Sequence, residues 1–241
     1  MISFAGQGIL LDIEGTTSSV TFVYDVMFPF VRAHLADHLE REWDEPRLHE
    51  VAGQIASDAG HDDLATLLGE GPPHTQRANL AAEVMRQMDA DKKVTGLKSL
   101  QGDIWQDGFH SGQLVAHVYD DVIPAIERWR AVGCAVRIYS SGSIAAQKLF
   151  FGHTQQGDLL PLFDAHYDTT TGSKRTAASY SAIAQDWDLP PGQILFVSDV
   201  IEELDAAREA GLQTLLCCRQ TMLSSEHDTC RTFDEISLAW D

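Results

Sequence analysis

Positive charge is scarce in this chain. Its 241 residues hold 17 lysines and arginines against 36 aspartates and glutamates, a formal net charge of -19. A field of that sign repels polyphosphate backbones, so nucleic acid is not an expected partner. It also repels small anions at long range. A phosphate site in such a chain must make its own positive field from a metal, a lysine and backbone N–H groups. Cysteine is sparse too. Cys134, Cys217, Cys218 and Cys230 contain no CxxC pair, which points to reduced thiols in a reducing compartment. No apolar run approaches a membrane span, and residues 1–6 lack the basic region and apolar core of an export signal. No membrane partner is expected, and the expected compartment is the cytoplasm. Neither a GxGxxG turn opening a strand–helix unit nor a GxxxxGK[ST] loop occurs, which weakens dinucleotide and P-loop readings. His34 and His38 have i,i+4 spacing but no HExxH pattern and no partnered cysteine, so they read as a solvated helix face rather than a zinc pair.

What remains is ordinary globular material in an informative order. Apolar residues make up 44% of the chain, enough for a sizeable core in one large domain or in one carrying an insert. Ile9-Leu10-Leu11 reads as a first strand. Helical spacing then dominates residues 26–43, 48–58 and 75–92, with Pro29 suited to a first turn. From Asp121 the rhythm changes to short apolar strands alternating with helices, at 135–139, 165–167, 194–197 and 213–216. That alternation predicts an α/β fold, a Rossmann-like and mainly parallel sheet with helices on both faces. A helical cap is inserted after the first strand. The expected division is a core of residues 1–20 and 119–241 and a mainly helical cap of residues 21–118.

In an open sheet of this kind the ligand sits beyond the carboxyl ends of the strands. Three segments with chemistry fall there: Asp12 with Glu14, Ser140-Ser141, and Ser198-Asp199. Lys174 stands at the mouth of a helix. Asp12 reads as a nucleophile, ionised at neutral pH without an activating base because an ordinary aspartate has a pKa of about 3.9. Its difficulty is repulsion from a phosphate. Two unit charges about 4 Å apart repel by roughly 4 kcal/mol at an effective dielectric of about 20, some three decades in rate. A divalent cation is therefore expected between them, with Asp12 and Asp199 as side-chain ligands and Mg²⁺ as the ion that oxygen donors suit. Glu14 can protonate a leaving oxygen and later activate water, and its extra methylene lets it reach an adjacent carbon acid. Ser140 and Lys174 read as phosphate binders. Glu203 reads as a residue that holds a metal-bound water or orients Lys174, while Glu202 faces solvent.

Asp12-Ile-Glu-Gly-Thr16, Ser140, Lys174 and Asp199, in this order, resemble the four motifs of haloacid-dehalogenase-like phosphatases. Glutamate at Glu14 departs from the general Asp-x-Asp pattern. With Thr17-Ser18-Ser19, the stretch from Gly96 to Trp105, Tyr139-Ser-Ser-Gly-Ser143, the stretch from Gln147 to His153 and Glu203-Leu-Asp-Ala-Ala207, it is similar to the enolase-phosphatases of methionine salvage. The resemblance implies a monomer with one Mg²⁺ per chain and a small phosphorylated diketone as substrate. The implied reaction enolises 2,3-diketo-5-methylthiopentyl-1-phosphate, then hydrolyses it to 1,2-dihydroxy-3-keto-5-methylthiopentene and phosphate. By position it makes Asp12 nucleophile and metal ligand, Asp199 the second carboxylate ligand, and Glu14 the acid/base residue that also lends the metal its backbone oxygen. Ser141 and Lys98 fall near the substrate's oxygenated end, Lys98 from the cap, and Glu203 near the metal. Phe22, Phe28, Trp105 and Phe109 are candidate walls for the methylthio end, with core packing as their other use. The competing readings are a generic metabolite phosphatase, a phosphomutase or a dehalogenase of the same superfamily, and a non-catalytic phosphoprotein-binding module.

Overall fold

The structure, a computed structural model, describes residues 1–222 and 224–239. The chain divides into two compact units, one of residues 1–23 and 115–241, the other Tyr24–Leu114.

The first unit is built on a six-stranded sheet. Its strands are β2 (Gly8–Leu11), β3 (Ala135–Tyr139), β4 (Ala165–Tyr167), β5 (Ile194–Ser198), β6 (Gln213–Cys217) and β7 (Asp228–Cys230). They lie in the order β4-β3-β2-β5-β6-β7, and every neighbouring pair is parallel. The parallel, helix-covered sheet with an inserted helical region is the expected architecture. A separate parallel pair, β1 (Ile2–Phe4) with β8 (Ile236–Leu238), ties the two ends of the described chain together. The strand runs are apolar throughout because parallel strands are covered on both faces. Ile9, Leu10 and Leu11 are fully buried, and so are Val136 and Ile138 on one side and Phe196 and Val197 on the other. Leu10 shares one face with Tyr139, Tyr180, Ile183, Phe196 and Leu204.

Chain order turns back at β2. From there the chain fills β3 and β4 on one side, then crosses to β5, β6 and β7 on the other. The carboxyl ends of β2 and β5 therefore flank the point where strand order reverses, which is where open α/β sheets bind ligands. The register places Leu11 opposite both Ile138 and Val197, so Asp12 emerges level with Tyr139 and Ser198.

The helices of this unit are α1 (Val20–Phe22) near the point of departure, then α7 (Val122–Ala131), α8 (Ile144–Gly152), α9 (Ala177–Trp187) and α10 (Ile201–Glu209). Ser143 caps α8, its hydroxyl accepting from Ala146 N–H at 3.2 Å. In α10 the cap residue is Val200 and makes no side-chain bond, so Asp199 is not spent on capping.

The second unit holds α2 (Phe28–Arg41), α3 (Pro46–Asp58), α4 (Leu64–Leu68), α5 (Pro73–Asp89) and α6 (Thr95–His110). Prolines at the starts of α2, α3 and α5 sit where a helix has no N–H to lose. Gly96 lets α6 close on Ile55 of α3, and its N–H donates to Asp58 Oδ2 at 2.8 Å. Trp105 and Phe109 are buried here, Trp105 donating to the Met27 carbonyl at 3.0 Å. The expected solvated histidine face is half wrong. His38 is 6% exposed, packed with Arg41 and Asp107, because α6 covers that side of α2. The same helix α6 escaped the periodicity reading because Gly96, Gly102 and Gly108 interrupt its apolar pattern.

The centre of the sheet is the least forgiving place for lost volume. Leu10→Ala should cost about 2–5 kcal/mol of folding stability, the usual range for a buried leucine in a rigid core. Urea unfolding of the two proteins measures this, and a change below 1 kcal/mol would show that the β2 environment collapses around the gap.

Candidate active site

The site grows from the turn after β2. Asp12 is still tied to the sheet, its N–H donating to the Val197 carbonyl at 3.0 Å. Beyond it the chain folds into a tight loop around one acceptor. The N–H groups of Thr16, Thr17 and Ser18 all converge on the Ile13 carbonyl, at 3.2, 3.0 and 2.9 Å. Thr17 Oγ1 donates back to the Asp12 carbonyl at 3.1 Å. Gly15 has φ +75°, and a Cβ there would run into the carboxylate of Asp199. Only glycine meets both demands, so the loop comes up flush against the end of β5.

Lys174 arrives from the far side. Gly172 has φ +142°, and Tyr139 Oη donates to its carbonyl at 3.0 Å. Ser179 Oγ holds the Ser173 carbonyl at 2.8 Å and Tyr180 Oη holds that of Lys174 at 2.7 Å. Three hydroxyls thus fix the backbone and aim the lysine inward. Its ammonium lies 2.6 Å from Asp12 Oδ1 and 2.6 Å from Glu203 Oε2, with the lysine side chain 7% exposed. The rings of Tyr139 and Phe196 lie 5.8 Å away and add a weak cation–π field.

Asp12, Glu14, Ser140, Lys174, Asp199 and Glu203 all lie in the first unit, and Glu14, Lys174, Asp199 and Glu203 all feel the charge of Asp12. Ser140 Oγ donates to Glu14 Oε2 at 3.2 Å and accepts from Gly142 N–H at 3.1 Å. Gly142 N–H thus serves Ser140. Ser141 is half-buried in the same loop. Gln147 holds that loop from beneath, its amide donating to the carbonyls of Gly142 and Tyr167 at 2.8 Å each. Lys98 lies on α6 of the second unit. Glu202 is exposed.

Sequence reasoning placed Ser198 at the site beside Asp199 but gave it no role of its own. Its hydroxyl lies 3.0 Å from Glu203 Oε2 and 3.3 Å from Asp12 Oδ2, bridging the two carboxylates that share Lys174. The available signal was its place at a strand end next to Asp199. Gln147 gave less, being visible only as part of a longer resemblance.

Four carboxylates around one ammonium leave an uncompensated negative charge, and the acid–base behaviour of the group shows it. Burial, then the Asp12 charge, push the Asp199 carboxyl up to about 7. The same two causes, in the same order, raise Glu14 and Glu203 above the usual carboxylate range. Burial alone would lower the Lys174 ammonium, but Asp12 and Glu203 reverse this and raise it above the ordinary lysine range. A cation placed among these oxygens would relieve every one of the raised carboxyls. No cluster of three or more His, Cys, Asp or Glu side chains stands ready to hold a metal among the described residues. The expected set needs none: the Asp12 and Asp199 carboxylates and the Glu14 backbone oxygen, all hard oxygen donors, suit an ion that keeps several waters, as Mg²⁺ does. The donor chemistry therefore fits.

A family model described as haloacid dehalogenase-like hydrolase matches residues 7–211. Strand order, inserted helices and a carboxylate-rich centre at the strand ends define the chain as a hydrolase of that class. Enolase-phosphatase E1 of Pseudomonas aeruginosa (strain UCBPP-PA14) is 45% identical over 230 residues, 95% of this chain and 97% of that protein. The protein of the same name from Drosophila mojavensis is 42% identical over 94% of this chain and 92% of its own length. Among solved structures, the UTR4 protein of Saccharomyces cerevisiae matches with TM-score 0.76 and 30% identity over 95% of this chain and 99% of that one. The chain belongs to the enolase-phosphatase E1 family of the haloacid dehalogenase-like hydrolases.

The raised carboxyl at Asp199 gives a test of the metal site. An aspartate of ordinary pKa 3.8 that reaches about 7 in the fold binds a proton the unfolded chain releases. Without a cation, stability therefore falls as pH rises from about 4 to 7. A cation competes with that proton, so the rise in melting temperature on adding Mg²⁺ should grow from pH 6 to pH 8. Asp199→Asn should flatten this pH dependence. A shift equal at both pH values in the wild type would remove Asp199 from the ligand set.

Proposed function

We propose that the site carries out two reactions on one substrate, 2,3-diketo-5-methylthiopentyl-1-phosphate: enolisation, then removal of the phosphate. The observation that carries this reading is a nucleophilic carboxylate and a carboxyl of raised proton affinity on one loop, Asp12 and Glu14, with a buried lysine against the first. The enzyme is Mg²⁺-dependent. Mg²⁺, when bound by Asp12, Asp199 and the Glu14 backbone oxygen, supplies positive charge against the phosphate and polarises the oxygens it meets.

In the enolisation, Glu14 in its ionised form takes the proton from the carbon beside the carbonyl. The C–H electron pair forms the enol double bond, and the carbonyl oxygen gains the charge and then a proton from solvent, so Glu14 keeps the proton it took. Ser141 steadies that oxygen. In the hydrolysis, an Asp12 carboxylate oxygen attacks phosphorus in line with the ester oxygen. The P–O bond to carbon breaks, and the departing oxygen takes the proton held on Glu14. A water then attacks phosphorus, gives its proton to the Glu14 carboxylate and releases phosphate from Asp12; Glu14 then gives that proton to solvent and is ionised again. A raised Glu14 pKa suits the donor role directly. The Lys174 charge and, to a smaller extent, the Ser140 hydroxyl that touches Glu14 limit the rise, so that the same group also works ionised.

Ser140 and Lys174 bind the phosphate. Lys174 already stands 2.6 Å from Asp12, so a phosphate drawn to its ammonium is brought next to the nucleophile. Glu203 holds the lysine from the opposite side. The protein acts as a monomer, as its family resemblance implies, and in the cytoplasm, a reading supported by four buried, unbridged cysteines; none of its described helices is long and apolar enough to cross a membrane.

Asp12→Asn should abolish phosphate release while leaving the fold intact. Glu14→Gln should impair both steps, lowering enolisation and phosphate release each by at least about 100-fold, the lower end of the range for acid–base groups. Diketone absorbance and free phosphate followed separately measure the two steps. Normal enolisation in the Glu14 variant would remove it as the carbon base. Turnover of a simple aryl phosphate as fast as the diketone phosphate would favour a generic phosphatase instead.

A further inference from the structure

Arg219 is buried, with its side chain 6% exposed, and it lies outside the ring of groups that meets the substrate. It follows β6 and inserts its guanidinium between the rings of Tyr119 and Phe233, at 4.4 and 4.7 Å from their centroids. Nη1 donates to both oxygens of Asp121, at 2.8 and 2.7 Å. Nε donates to the Thr16 carbonyl at 2.9 Å. Asp121 Oδ2 also accepts from Phe233 N–H at 2.6 Å.

The target of Nε matters most. Inside the loop after β2, the Ile13 carbonyl collects three N–H groups and the Ser18 carbonyl collects that of Gly15. Thr16 presents its carbonyl to Arg219, and Thr17 presents its own to Tyr119 N–H at 3.1 Å. These two bonds tie the loop to the rest of the first unit at the end away from the sheet. Asp12 is held by β5 at the other end. Glu14 and Gly15 lie between the two anchors.

A buried arginine is an expensive way to gain stability. Desolvating the ion pair offsets most of its attraction, and well-packed apolar groups often serve a fold as well or better. Arg219 Nη2 has no hydrogen-bond partner among the described residues, so the burial is not fully repaid in bonds. What the guanidinium offers and an apolar side chain lacks is a rigid fork. One arm is locked on Asp121 and the aromatic sandwich while Nε is aimed at the loop.

We propose that Arg219 is a positioning residue for the reaction, setting the Asp12–Glu14 loop in its catalytic geometry through the Thr16 carbonyl. Resting on the two-step reading above, it assigns Arg219 no contact with substrate. A loop displaced by about 1 Å can cost on the order of 100-fold in rate while leaving binding of the phosphate largely intact.

The test compares wild type, Arg219→Lys, Arg219→Ala and Ile126→Ala by phosphate release from the diketone phosphate, well below each melting temperature. Ile126 is buried in α7 and is placed in no part of the catalytic machinery, so its variant controls for loss of stability. Lysine keeps the charge at 219 but cannot hold Asp121 and Thr16 together with a planar fork. In both Arg219 variants kcat should fall about 10- to 100-fold with KM changed by less than about threefold. Added guanidinium ion should restore part of the Arg219→Ala rate and none of the wild type's. Ile126→Ala should melt lower yet keep wild-type kcat. Should Arg219→Ala not fold, Arg219→Lys alone decides. Wild-type kcat in the Arg219 variants, or an equal loss in Ile126→Ala, would overturn the proposal. No turnover by wild type would instead reject the functional reading itself.

Discussion

The structure depends on one buried cation. Lys174 sits between Asp12 and Glu203, and without it two carboxylates would face each other in a medium that solvates neither. Much of the first unit serves this arrangement. Gly172 gives the chain the turn it needs, while Tyr139, Ser179 and Tyr180 each use a hydroxyl to hold a carbonyl of residues 172–174. Ser198 spans the same two carboxylates from the sheet side. A chain with a net charge of -19 has placed one of its few lysines where four carboxylates converge. The shortfall of positive charge is what makes the site receptive to a divalent ion.

Sheet topology explains why these groups can meet. Asp12 and Asp199 are 187 residues apart in sequence, yet they leave neighbouring parallel strands within one residue of the same level, because Leu11 pairs with Val197 and Asp12 is level with Ser198. The reversal of chain order at β2 leaves their carboxyl ends flanking the point where open α/β sheets bind ligands. Gly15 then removes the one side-chain atom that would keep the loop and Asp199 apart. A shift of register by one residue would turn the β2 side chains to the opposite face and take Asp12 out of line with Ser198.

Much of this was legible in the sequence. Ile9-Leu10-Leu11 followed by Asp12, Glu14 and Gly15 marks a buried strand ending on chemistry, and the later apolar runs at 135–139 and 194–197 carry Ser140 and Asp199 by the same logic. The legible part is local: strand hydrophobicity, helix period, and charged or small residues at boundaries. Helix α6 was missed because Gly96 serves close packing against α3 and Gly108 against Phe30 of α2, and those reasons exist only once the helices are in place. The strands β1, β7 and β8 are three residues each and lie outside the strand–helix alternation that exposed β4, a strand of the same length. His38 read as solvated because a helix's own period cannot reveal that Asp107, 69 residues later, will cover it.

The same limit governs the role of individual side chains. Asp12 and Asp199 announce themselves because a carboxylate at a strand end has few structural uses. Ser198, Gln147 and Arg219 do not, because serine, glutamine and arginine have many. Their function lies in which acceptor they reach, and each acceptor is brought there by a distant part of the chain: Glu203 and Asp12 to Ser198, the Gly142 and Tyr167 carbonyls to Gln147, the Thr16 carbonyl to Arg219. Groups that react must be chemically distinctive, so sequence exposes them. Groups that position need only be polar and held in place, and geometry alone tells them from ordinary core bonds. The test that applies to Arg219 is whether the bond ends on a segment that carries a reacting atom, and the Thr16 carbonyl, four residues from the nucleophile, meets it.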